Sequence, residues 1–348
     1  MNVLLLTSHA IAEHDDLDMF TRMGVNVYSI GGAYDTIPFE GKRPAVPNVQ
    51  RWLNLEQATN DQRARLAQDL GDPLENIDWG KARLHPAVVD WADVVIVHHF
   101  PEQWIGGNWD ALNGKRIVWR TCGQSDPRLE HEMTWFRQNG LEIVRYSPKE
   151  KQAFGNWGTF AGQDAMIRFG KDPEEWFGWN GEERVVGNIT QDMAKRGDAC
   201  GLGFWDEATK LLPTKPAGPG SEALIGGIGQ LTYEDMRAYL RRIRVYLYTG
   251  TRPASYTLGL IEAMMTGTPV VYMGPDQFQP SALWEFTGSW GPCNTPQDAH
   301  AAIQRYLNMD PTGDDLGGTS RLTRHAAIQA FGLDTIMPQW HDFLGTGS

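Results

Sequence analysis

Cysteine is scarce in this chain of 348 residues: Cys122, Cys200 and Cys293 are the only three, and no two of them have metal-site spacing. A disulfide framework is therefore excluded, and a reducing, cytoplasmic compartment is expected. Long apolar runs are missing as well, since none approaches the ~18–20 residues needed to span a bilayer. The first run, Val3–Leu6, is too short for the core of an export signal and has no basic residue before it. It reads as a buried strand. Positive charge is also in short supply, with 31 Lys+Arg against 43 Asp+Glu and a net charge of −12. That balance argues against wholesale nucleic-acid binding, though not against a local basic patch. The chain has no internal repeat and no low-complexity tract, and no Asp-x-Asp pair stands at the end of an expected strand. What it has is 41% hydrophobic residues and 11% aromatics, enough for two full cores, so a disordered or fibrous chain is excluded.

Short apolar runs alternate with amphipathic stretches. Strands are expected at Val3–Leu6, Val25–Ile30, Val94–His98, Arg116–Arg120 and Leu141–Tyr146, with helical patterns such as Asp16–Met23 and Asp126–Asn139 between them. Strands joined this way are parallel and build a doubly wound sheet. The rhythm breaks in the Gly-, Pro- and acid-rich stretch Gly170–Gly181 and restarts at Arg184–Gly187, Ala223–Ile228, Val245–Tyr248 and Pro269–Met273. Helical spacing returns in Pro296–Met309 and Ser320–Phe343. The expected organisation is an N-terminal domain over residues 1–175 and a C-terminal domain over 176–348, with the last helix packing back on the first domain. Two such α/β domains place a ligand cleft at the carboxyl ends of their strands.

The most informative segment is Val245–Gly274, VYLYTGTRPASYTLGLIEAMMTGTPVVYMG. A strand ends at Tyr248, a loop follows, and a helix opens near Ser255, with Gly267 closing it. Ser255, Tyr256, Thr257 and Leu258 occupy the amino end of that helix, where unpaired N–H groups and the positive dipole end suit a diphosphate. Arg252 in the same loop can pair with phosphate. Glu262, two turns in, can accept hydrogen bonds from ribose hydroxyls.

This segment resembles the family 4 glycosyltransferases of the GT-B fold, whose signature places Glu-Ala-Met before Gly-x-Pro-Val-Val. Glu262, Ala263, Met264, Gly267, Pro269, Val270 and Val271 match in order. The resemblance implies an α/β GT-B fold, two Rossmann-like domains facing a central cleft. It implies transfer of a hexose from a nucleotide sugar, UDP-sugar foremost, to an acceptor hydroxyl, retaining and without a metal or other cofactor. It assigns the donor ribose to Glu262. The family's earlier Glu would fall at Ala254. RVVGNITQDMAKRG resembles the family's opening strand, with Asn188 in place of the usual Arg and with Lys195 and Arg196 as the nearest cations for the diphosphate. Gly218, Gly220, Gly229 and Leu231 match the loop that borders the nucleotide base. His98 and His99 fall where the family places a His near the donor sugar, while His9 and His14 are weaker candidates.

The family's default acceptor is a saccharide or lipid-linked saccharide. An alternative is a hydroxymethylated pyrimidine in DNA, as in phage-type transferases. Lys115–Lys171 holds ten Lys/Arg against six Asp/Glu, with Trp135, Phe136, Tyr146, Phe154 and Trp157 interleaved, and such a patch suits a polyanion with a displaced base. A third reading, prompted by Ala254 and Asn188, is a catalytically inactive nucleotide-sugar-binding protein.

Overall fold

An apolar run without polar interruption cannot keep one face in water, so it forms a strand covered on both faces. The runs Val3–Leu6 and Val94–Val97 follow that rule. The computed structural model describes residues 1–7, 10–29, 50–51, 84, 86–98, 101–123, 127–151, 160–252, 254–274 and 293–346. Two compact units divide them: one holds the described residues up to Gly170 and those from Ile336 onward, the other is Lys171–Thr335.

The first unit is built on a parallel sheet of seven strands: β1 (Asn2–Leu6), β2 (Asn26–Ser29), β3 (Gln50–Arg51), β4 (Val94–His98), β5 (Arg116–Arg120), β6 (Glu142–Arg145) and β7 (Ala165–Met166). Their spatial order is β3-β2-β1-β4-β5-β6-β7. The chain winds from β1 to β3 in one direction and from β4 to β7 in the other, so the winding reverses between β1 and β4. Leu4 and Leu6 of β1, Val95 and Val97 of β4, Trp119 of β5 and Ile143 of β6 share one core with Trp104, Leu129 and Met133. The terminal helix Leu333–Leu344 contributes Trp340, edge-on to Phe20 at 5.1 Å. Its last carbonyls, of Phe343 and Leu344, accept hydrogen bonds from Arg116, which also pairs with Glu142 at 2.7 Å. A cation at a helix carboxyl end satisfies carbonyls that have no intrahelical partner.

Charge is buried beside β6. Arg145 is fully enclosed and pairs with Glu130 at 2.5 Å and Glu150 at 3.3 Å. Glu150 also accepts from Thr121 Oγ1 and from the backbone N–H groups of Tyr146 and Ser147, and Glu130 accepts from the Ala161 N–H. Burial pushes the Glu150 carboxyl above its usual range, and Arg145 opposes the shift.

The second unit carries a parallel four-stranded sheet of β8 (Glu183–Ile189), β9 (Thr214–Ala217), β10 (Ile243–Tyr248) and β11 (Val270–Tyr272), in the order β11-β10-β8-β9. Here the winding reverses between β8 and β10. Val186, Val245, Leu247 and Val271 meet Trp205, Ile303 and Leu307 in one core. Gly187 is required where it stands, because a side chain there would collide with Tyr239 and Ile243.

Two expectations need correction. Ala223–Ile228 is not a strand: Ser221–Ala223 forms a 3-10 turn, and Ile225 is 89% exposed. The strand lies earlier, at β9, in a sequence that contains Pro216. β9 is the sheet edge, where a missing N–H leaves no ladder bond unmade on the open side. The helical segment expected at Ser320–Phe343 is two helices, Asp314–Phe331 and Leu333–Leu344, divided at Gly332.

Candidate functional site

In a doubly wound sheet the loops on either side of the winding reversal diverge, and a crevice opens at the carboxyl ends of the two strands. In the second unit those strands are β8 and β10. The loop after β10 leads into the helix Leu258–Thr266, with Thr257 at its N-cap in an extended conformation and making no side-chain hydrogen bond to the helix. The N–H groups of the first turn therefore have no acceptor inside the helix. That turn lies against the end of β8: a Cβ on Gly259 would stand 3.5 Å from Ile189 and 3.6 Å from the Tyr246 hydroxyl. Burial pushes the Tyr246 phenol upward, and the charge of Glu262 adds to the shift.

The loops after β8 and β10 are joined. Arg252 N–H donates to the Ala199 carbonyl at 2.7 Å, and Thr249 Oγ1 donates to the Cys200 carbonyl at 2.6 Å. This brings the half-buried Arg252 to the neighbourhood of the short helix Met193–Arg196, whose Lys195 and Arg196 are exposed. The loop after β9 rests on the same region. Gly218 and Gly220 adopt φ of +107° and +77°, and a Cβ on Gly220 would lie 2.6 Å from Asp192 Oδ1. The Gly229 carbonyl accepts from the Gly218 N–H at 2.8 Å, and the Gly229 N–H donates to Ser221 Oγ at 2.9 Å. The half-buried Leu231 closes that loop just before Thr232 caps the helix Tyr233–Arg242. The structure thus brings Arg252, Lys195, Arg196, Gly218, Gly220, Thr257 and Leu258 to one edge of one sheet.

The remaining expected residues fall differently. Ser255 and Tyr256 are buried, and the Tyr256 ring packs edge-on to Phe331 at 5.4 Å, anchoring the loop in the core. Asn188 is a strut between strands: its Nδ2 donates to the Leu247 carbonyl at 2.7 Å, and its N–H to the Tyr239 hydroxyl at 3.1 Å. Ala254 closes a turn by donating to the Thr251 carbonyl at 2.7 Å. Glu262 is buried, and its Oε1 takes a bond of 2.6 Å from Lys171 Nζ. No sequence signal singled out Lys171.

In the first unit the winding reversal lies between β1 and β4, and His98 stands at the end of β4. Its ring is fully enclosed, with Nε2 2.9 Å from Asp16 Oδ2. Arg120, at the end of β5, places Nε 3.1 Å from the same oxygen. Its other nitrogens donate to the Ile167 and Arg168 carbonyls at 3.0 and 3.1 Å, and its guanidinium lies 5.0 Å from both the Phe169 and Trp340 rings. Asp16 and Arg120 were not among the expected site residues. The signal available was a charged group closing an apolar strand. His14 is buried 3.8 Å from Asp15. His9 and His99 lie outside the described residues.

Six of the ten Lys and Arg residues of Lys115–Lys171 pair with carboxylates of the chain. Arg116 pairs with Glu142, Arg120 with Asp16, Arg128 with Glu132, Arg137 with Asp164, Arg145 with Glu130, and Lys171 with Glu262. Trp135 is 53% exposed and packs edge-on to Trp109 and Phe136, while Trp157 and Phe154 lie outside the described residues.

No protein-family model and no curated protein sequence matches the chain. Solved structures do. Sucrose-phosphate synthase from Thermosynechococcus elongatus aligns at a TM-score of 0.66 with 15% identity, over 99% of this chain and 98% of that one. HepE from Anabaena, solved in complex with UDP-glucose, aligns at 0.65 with 15% identity over the whole of both chains. A glycosyltransferase from Rickettsia africae aligns at 0.64 with 11% identity, over 99% and 98%. At these identities the likeness shows the fold: α/β, GT-B, with two Rossmann-like domains. Among the described residues no group of His, Cys, Asp and Glu could hold a metal ion, and no helix is long and apolar enough to cross a membrane.

Proposed function

We propose that the chain is a glycosyltransferase that moves a hexose from a nucleoside-diphosphate sugar to an acceptor hydroxyl. The observation that carries this reading is the winding reversal between β8 and β10, where such sheets bind ligands. The amino end of the helix Leu258–Thr266 opens there, and the joined loops around it carry Arg252, Lys195 and Arg196. Helix N–H groups without an intrahelical acceptor, a helix dipole and nearby cations stabilise the negative charge that builds on a departing diphosphate. Side chains then perform the neutralisation, so turnover proceeds without a metal. Support for a UDP-sugar donor comes from the full-length likeness to HepE, which was solved with UDP-glucose. Glu262 takes the ribose, and Gly218, Gly220 and Leu231 border the base. Retention of the anomeric configuration belongs to the same reading through the family 4 resemblance.

The acceptor we favour is a saccharide or lipid-linked saccharide. Six of the cations that would have met a DNA backbone are engaged in ion pairs with the chain's own carboxylates. A paired cation displaces fewer counterions from a polyanion. A panel of nucleotide sugars offered with oligosaccharide, lipid-linked saccharide and hydroxymethylated DNA tests the proposal, read by mass spectrometry. One hexose gained by a saccharide acceptor supports it. One hexose gained by DNA alone transfers the reading to a base-modifying enzyme. Binding of the donor with neither transfer nor hydrolysis leaves a nucleotide-sugar-binding protein.

A further inference from the structure

A carboxylate sealed from water inside a helix is costly unless a cation accompanies it. Glu262 meets that condition through Lys171. The two side chains are 2% and 1% exposed and stand 2.6 Å apart. Lys171 is itself firmly held. Its N–H donates to the Phe331 carbonyl at 2.8 Å, and its own carbonyl accepts from Leu333 N–H at 3.2 Å. Its ammonium lies 5.7 Å from the centre of the Trp176 ring. Arg324 completes the arrangement by donating to the carbonyls of Pro173, Trp176 and Met265. One guanidinium thus fastens the segment that carries Lys171 to the end of the helix that carries Glu262.

We infer that Lys171 is a positioning residue, which fixes the plane of the Glu262 carboxylate so that this group accepts a hydrogen bond from a ribose hydroxyl of the donor. The inference rests on the function proposed above. An ammonium 2.6 Å from Oε1 restricts the rotation of the carboxylate. Without the ammonium, the enclosed carboxylate turns from that orientation, and its charge-assisted bond to a hydroxyl is lost. Lys171 therefore sets the preference for ribose and leaves the grip on the diphosphate to other groups.

The test compares a nucleoside diphosphate with its deoxy forms. Whichever of UDP, GDP or ADP the unaltered protein binds best is titrated by calorimetry beside its 2′-deoxy and 3′-deoxy analogues. The unaltered protein should prefer the ribonucleotide over at least one analogue by about tenfold or more, the range for a hydrogen bond to a charged group. In Lys171→Met that preference should fall below about twofold, with affinity for the deoxy analogue held within about twofold of the unaltered value. General damage to the fold would weaken both ligands together. A folded Lys171→Met protein that keeps its full preference overturns the inference alone. Binding of no nucleoside diphosphate to the unaltered protein overturns the inference and the proposed function together. If Lys171→Met fails to fold, Glu262→Gln is compared with the double variant Lys171→Met/Glu262→Gln. Equal affinities for every ligand are expected, because Lys171 acts through Glu262. A further loss of deoxy-nucleotide affinity in the double variant overturns the inference.

Discussion

Arg145→Met removes the cation from the buried cluster beside β6. In the native chain this guanidinium donates to Glu130 at 2.5 and 2.8 Å and to Glu150 at 3.3 Å. It also donates to the Gly162 carbonyl at 2.9 and 2.8 Å. Methionine keeps much of the apolar volume against Trp119 and Phe160 but leaves two enclosed carboxylates without their partner. Breaking a buried pair in this way costs about 3–5 kcal/mol. For a unit of this size that corresponds to a melting-temperature drop of roughly 6–20 °C. The pH dependence follows from the direction of the Glu150 shift, which burial raises and Arg145 opposes. A carboxyl whose folded pKa lies above its unfolded one contributes most below the unfolded value, and the contribution fades as pH rises through the folded value. Removing Arg145 widens that window. The variant's deficit should therefore be largest at neutral pH and shrink on acidification as the stranded Glu150 carboxyl takes up a proton. Urea unfolding of the full chain at several pH values, followed by tryptophan fluorescence, reads both quantities. A deficit under about 1 kcal/mol at neutral pH, or one that grows on acidification, would refute the reasoning.

Glu262→Ala should weaken nucleoside-diphosphate binding by about 1.5–3 kcal/mol in calorimetry, and unchanged affinity would remove the ribose role. Gly220→Ala forces a side chain into φ +77° and within 2.6 Å of Asp192 Oδ1. It should cost about 1–3 kcal/mol in thermal unfolding and weaken nucleotide binding, because the loops after β8 and β9 must part. Turnover should survive a chelator; loss of activity that divalent metal restores would contradict neutralisation by side chains. Asp16→Asn, which takes the charge from between His98 and Arg120 at 2.9 and 3.1 Å, should destabilise the chain by about 3–5 kcal/mol, and a melting temperature equal to the native one would contradict the pairing.

How legible all this was in the sequence depends on how local each signal is. β1 and β4 were readable because each is an almost unbroken apolar run, and β5, β8 and β10 because each keeps a short apolar core such as Val185-Val186 or Val245–Leu247. β9 was missed because an edge strand tolerates Pro216 and Lys215, residues that read as a break. Ala223–Ile228 was mistaken for a strand because its isoleucines suggest burial, while Ile225 is in fact almost fully exposed. Within the candidate site, the helix-opening motif and Glu262 were legible as one contiguous stretch. The partners of the buried charges were not. Lys171 lies 91 residues from Glu262, and Asp16, His98 and Arg120 come from three separate elements of the first unit. Only the winding of the sheets brings them together, and no spacing rule reports it.

The central claim is that the crevice between β8 and β10 holds a nucleoside-diphosphate sugar. Calorimetric titration of the purified chain with UDP, GDP, ADP and UDP-glucose tests it most directly, with Glu262→Ala and Arg252→Ala as companions. The account expects saturable binding of at least one ligand, weakened by Glu262→Ala through the ribose and by Arg252→Ala through the diphosphate. The absence of binding for every ligand, or binding that neither substitution weakens, would contradict it.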